Sequence, residues 1–130
     1  TGTLEFLKKI EEKQVPWSLN SLGAHAGELM LKDKDYIHRT RELILSERNR
    51  LLHALETIPA YKTYPAYANF ILLKIQKTGL TSYDVFDACI RQCLMIRDCS
   101  SFECLDGEYI RFCIMNPEDN THLLNILTSL

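Results

Sequence analysis

The sequence predicts an α+β domain: a two-layer α/β sandwich with a three-stranded, mainly antiparallel sheet and helices on one face. Three observations carry that expectation. From Met95 to Met115 two strand-like segments flank a polar loop; in the second, Ile110, Phe112 and Ile114 alternate with Tyr109, Arg111, Cys113 and Met115, and a period of two sends one set to each face. From Asp33 to about Ile58, apolar residues recur at helical spacing through Ile37, Leu43, Ile44, Leu51, Leu55 and Ile58. The patterns run helix, helix, long helix, strand, helix, strand, strand, helix, which leaves three short strands for the helices to cover.

Taken in order, Thr3 to Gln14 is charged and amphipathic, with Leu4, Leu7 and Ile10 on one side, and it stops before Pro16. Ser18 is placed to cap the next helix, whose apolar positions are Leu19, Leu22, Gly23, Ala26 and Met30. Asp33 caps the long helix, which at 1.5 Å per residue is on the order of 35 to 40 Å, a length that suits bridging two layers or two domains. Its charged residues, Glu47, Arg48 and Arg50 among them, read as a solvated face with local ion pairs. Pro59 ends it, and Tyr61 to Pro65 reads as a connection. Tyr67 to Ile75 is rich in strand formers and apolar on both faces, so a strand covered on both sides is expected. Thr81 and Asp84 fit a capping box for a helix to about Leu94, with Val85, Phe86, Cys89, Ile90 and Cys93 on its inner face. After the strand pair, Asn116-Pro117-Glu118-Asp119 supplies an N-cap, a proline at the first helical position and two acids at the positive helix end.

Length and composition bound the function. The 130 residues, 46% of them hydrophobic, suffice for one modest core, so positions 1 to 130 read as a single domain. A net charge of -2 offers no basic field for nucleic acid or an anionic membrane surface. No apolar run approaches the roughly 20 residues of a membrane span, and Thr1-Gly2-Thr3-Leu4 lacks a signal-peptide layout, so a cytoplasmic location is expected. The sequence begins without Met, as a piece of a longer chain would. Cysteines at 89, 93, 99, 104 and 113 are odd in number and nowhere form a Cys-x-x-Cys pair; free thiols, acting as small hydrophobes at 89, 93 and 113, are expected rather than disulfides or a metal site.

No glycine-rich phosphate loop, Gly-x-Ser-x-Gly elbow or His-Glu-x-x-His helix is present, so the chain is poorly equipped as an enzyme on its own. His25 has no second histidine or acid at i+4 and reads as an exposed or core-satisfied residue. The candidates for recognition are Arg97 and Arg111, one on each neighbouring strand, whose planar forks can grip a carboxylate or phosphate. The plainer alternatives are an arginine that snorkels from an edge strand, or one paired with Asp98. Asn69 opens a buried strand and needs hydrogen-bond partners, and Trp17 can wall a pocket or join a core.

Five segments lie in the order and spacing of a known family: Pro16-Trp17-Ser18-Leu19-Asn20-Ser21-Leu22, Asn69-Phe70, Ile96-Arg97-Asp98-Cys99-Ser100, Tyr109-Ile110-Arg111-Phe112 and Glu118-Asp119-Asn120. Almost the whole chain resembles the C-terminal, small domain of a fold-type I pyridoxal-phosphate-dependent aminotransferase. Threonine-phosphate decarboxylase, an enzyme of cobalamin biosynthesis, is the nearer branch and histidinol-phosphate aminotransferase the next. The Arg97-Asp98-Cys99-Ser100-Ser101-Phe102 run favours the former; Cys104 departs from it, since that branch carries glycine before the leucine.

The resemblance implies a substrate-recognition and closure domain of a homodimeric enzyme acting on a phosphorylated amino acid. Pyridoxal 5'-phosphate would be held by a large domain outside this chain, together with the lysine and aspartate that bind it, so the piece alone should be inactive and free of cofactor. Arg111 matches the arginine that grips the substrate carboxylate, Arg97 the one that helps bind the carboxylate or phosphate end, and Asn20 and Trp17 match positions near the active-site entrance. The competing class is a free-standing, non-catalytic interaction module that uses an exposed sheet face.

Overall fold

The structure, a computed structural model, describes residues 3–13 and 20–130. Two compact units divide the chain, Thr1–His38 and Arg39–Leu130. In the first, α1 (Leu4–Glu11) starts at Thr3, whose hydroxyl accepts from the Phe6 N–H, and a Lys9–Glu5 pair one turn apart spans its surface. Helix α2 (Ser21–Lys32) is capped by Asn20, whose Oδ1 accepts from the Gly23 N–H at 2.7 Å. The expected cap, Ser18, lies outside the described residues. Helix α3 (Lys34–Glu56) begins where Asp33 accepts from the Tyr36 N–H at 2.9 Å, and the boundary between the units falls within it.

The second unit holds the sheet. Its strands are β1 (Tyr61–Thr63), β2 (Phe70–Ile75), β3 (Arg97–Asp98) and β4 (Tyr109–Cys113), all antiparallel in the order β1-β2-β4-β3. The sheet thus has four strands rather than three. A three-residue run between Pro59 and Pro65 reads as a loop by itself and becomes a strand because the edge of β2 offers it a ladder, Tyr61 opposite Ile75 and Thr63 opposite Leu73.

Alternation sets the faces. Ile71, Leu73 and Ile75 of β2 and Ile110 and Phe112 of β4 are buried, and they meet Leu51 and Leu55 of α3, Val85 and Cys89 of α4 (Ser82–Arg91) and Leu123 and Leu127 of α5 (Pro117–Ser129) in one core. Both N-caps of the later helices form as their residues require: Thr81 and Asp84 bond reciprocally, and Asn116 accepts from the Asp119 N–H at 2.8 Å ahead of Pro117. The expectation that β2 is covered on both sides is corrected. Its burial alternates strictly, with Phe70 exposed and Leu72 and Lys74 half-buried, so helices cover one face and the apolar residues of the other are surface.

Another correction concerns α3. Glu47, expected on a solvated face, is 6% exposed: Arg50 donates to both its oxygens at 2.9 and 2.7 Å, and the buried Asn120 amide donates to Oε2 at 2.7 Å. Asn120 also accepts from Met115 N–H and donates to Met115 C=O, so one side chain ties α3 to the β4–α5 junction. Cys93 and Cys113 are exposed instead of packed, Cys93 with a positive φ of 62° just past α4. His25 is exposed on α2. No helix among the described residues is long and apolar enough to cross a membrane.

Candidate anion-recognition site on the uncovered sheet face

Because Ile110 and Phe112 point into the core, Arg111 between them points to the uncovered face. Strand β3 pairs with β4 so that Arg97 stands directly opposite Arg111. Like charges in that position repel. Neither guanidinium has a salt bridge among the described residues; each lies over an aromatic ring, Arg111 at 5.0 Å from the Phe70 centroid and Arg97 at 5.5 Å from that of Phe102. Arg97 also donates to Ser101 Oγ at 3.3 Å.

Asp98 forms no salt bridge with either arginine among the described residues. Its carboxylate accepts from the Ser100 N–H at 2.8 Å and from the Ser100 hydroxyl at 3.0 Å, which turns it into the loop after β3. Burial raises its pKa, but hydrogen bonds from Ser100 and Ser82 and the nearby Arg97 charge outweigh burial and hold it below the ordinary aspartate value. At Cys99 burial wins: the buried thiol is pushed up despite the two arginines.

The arginines border an open recess of about 860 Å³, with Asn69, Phe70, Asp98 and Cys113 around it and Tyr83 and Phe86 of α4 on its rim. Asn69 is exposed there, not in a buried strand, and its backbone carbonyl accepts from the Ile114 N–H. The recess has apolar walls and two cationic forks, which suits a small anionic ligand whose body is partly apolar. No lysine lines it. Its residues therefore fit the charged ends of a ligand and not the anchoring of an aldehyde cofactor. Among the described residues no group of His, Cys, Asp and Glu is placed to hold a metal ion.

Of the residues singled out in the sequence, Arg97 and Arg111 come together. Asn20 belongs to the first unit, where its side-chain oxygen caps α2, and Trp17 lies outside the described residues. The stacking rings of Phe70 and Phe102 and the Ser101 hydroxyl were not read as part of a site; the only sequence signal was that both rings lie within the segments that carry the resemblance.

The chain is 34% identical over 129 residues, 99% of its length, to a Caldanaerobacter subterraneus protein described as a threonine-phosphate decarboxylase. It is 31% identical over 128 residues to the threonine-phosphate decarboxylase of Salmonella typhimurium, matching 95% of this chain. The crystal structure of the histidinol-phosphate aminotransferase from Clostridium acetobutylicum superposes over 96% of the chain with a TM-score of 0.75 and 30% identity. Its homologues are threonine-phosphate decarboxylases and histidinol-phosphate aminotransferases, fold-type I pyridoxal-phosphate enzymes. The chain spans about a third of the length of these relatives, 35% and 34% of the two decarboxylases and 37% of the aminotransferase. No family model matches it.

Proposed function

We propose that residues 1 to 130 form the substrate-recognition and closure domain of a pyridoxal-phosphate enzyme that acts on a phosphorylated amino acid, in the manner of threonine-phosphate decarboxylase. The observation that carries the reading is the pair of arginines side by side on the uncovered face, without a carboxylate partner among the described residues. Two guanidiniums held against their mutual repulsion are ready for a ligand with two anionic ends. Arg111 takes the carboxylate through paired charge-assisted hydrogen bonds, and Arg97 the phosphate. The greater length of the relatives supports a domain of an enzyme over a free-standing interaction module. Residues outside this chain hold the cofactor, which when bound supplies an electron sink for a bond broken at Cα. The family resemblance supports a homodimer in the cytoplasm, with this domain closing on its own large domain.

The likeness to a histidinol-phosphate aminotransferase supports the second reading, a transaminase for a phosphorylated amine. Both readings use the same two arginines and differ in the bond broken, so substrate choice separates them.

The test is made in the full-length enzyme with O-phospho-L-threonine and L-threonine. Arg111→Lys keeps the charge but loses the fork, and binding of both should weaken by about 1.5 to 3 kcal/mol, roughly ten-fold to over a hundred-fold. Arg97→Lys should harm the phosphorylated substrate far more than the other. Unchanged binding in Arg111→Lys would remove the reason for calling this a recognition domain.

A further inference from the structure

Phe70 and Phe102 are 40% and 38% exposed, and neither joins the hydrophobic core. Each stays partly exposed outside the core, with its ring beside one of the two opposed arginines. Phe70 lies opposite Cys113 and so diagonal to Arg111 across the β2–β4 ladder, within reach of a long side chain. Phe102 is set by the turn after β3, where its N–H donates to the Cys99 carbonyl at 3.0 Å.

Resting on the reading that the arginines bind the anionic ends of substrate, we infer that Phe70 and Phe102 are positioning residues that orient Arg111 and Arg97 without neutralising them. A carboxylate partner would fix a guanidinium equally well, but it would cancel the charge and occupy the donors that a ligand needs. An aromatic face attracts the cation through the ring quadrupole and leaves the N–H edge free. It also offsets part of the cost of holding two like charges opposite each other. The site is thus prepared before the ligand arrives, and the ligand meets cations already held beside aromatic rings.

The test uses the full-length enzyme, with dissociation constants for O-phospho-L-threonine and the midpoint of thermal unfolding as readouts. Phe70→Leu and Phe102→Leu keep apolar bulk and remove the ring; each should weaken binding about two- to fivefold with the midpoint unchanged. Phe70→Tyr and Phe102→Tyr keep the ring face and should bind as the parent does. Parent-like binding in both Leu variants, while Arg111→Lys binds weakly, would overturn the positioning role and leave the arginine reading intact. Parent-like binding in Arg111→Lys would instead overturn the arginine reading itself. Tyr variants as weak as the Leu variants, or weakened binding accompanied by a lowered midpoint, would also overturn the inference, in favour of shape or of a purely structural role.

Discussion

Arg50 on α3 and Arg111 on β4 belong to the same unit and are held in opposite ways. Arg50 grips both oxygens of buried Glu47 and reaches the Pro117 carbonyl at 3.2 Å, while Asn120 braces the same carboxylate. The Arg50 hydrogen bond, opposed by burial and aided by Asn120, holds the Glu47 carboxyl below its usual pKa, and the same bond raises that of Arg50. Every strong group there has a partner within the protein. Arg111 has Phe70 beneath it and Arg97 facing it, and no salt bridge among the described residues. A closed ion pair locks elements together; a cation left open on a ring is available to something else.

The comparison breaks most readily at Asn120. Asn120→Ala leaves the half-buried Met115 N–H and C=O without their partner and removes the second donor to Glu47 Oε2, which Arg50 still reaches, and urea unfolding of the chain should show a loss of about 2–3 kcal/mol. A loss within experimental error would mean that the tie between α3 and α5 is no more than a surface contact.

A smaller effect sharpens the Glu47 side. With its folded pKa below the ordinary value of 4.5, Glu47 contributes stability that is fully present above that value and lost as the pH falls through the lower folded one. The stability gap between the parent and Glu47→Gln should therefore be widest near neutral pH and narrow on acidification. A gap independent of pH would show that the charge of Glu47 does not matter to the fold.

The smallest effect belongs to the open side. Arg111→Gln should change the unfolding free energy of the chain by no more than about 0.5 kcal/mol, because it removes no closed pair and relieves a like-charge contact. A loss of about 2 kcal/mol or more would place Arg111 with Arg50, as a structural cation.

Local rules made much of this legible from the residues alone. Alternation around Arg111 assigned Ile110 and Phe112 to the core and the arginine to the other face, and the caps at Asp33, Thr81 and Asn116 needed only neighbours within three residues. Even the two arginines could be singled out, because a cation inside an apolar strand needs a reason wherever the chain goes.

What tertiary structure decided depends on partners far apart in sequence. Tyr61–Thr63 is a strand only because β2 has an edge to give it. Phe70 and Leu72 look like core residues in the sequence, and only the placement of α3, α4 and α5 on the other face leaves Phe70 exposed and Leu72 half-buried. Glu47 looks solvated until Asn120, 73 residues later, arrives with an amide to satisfy it. The sequence by itself determined the two faces of β4 and most helix starts, since those follow from spacing and nearest-neighbour hydrogen bonds. The facing of Arg97 and Arg111 and the rings beneath them were decided by strand register and loop closure, where contacts between distant segments select one arrangement among many that the local pattern allows.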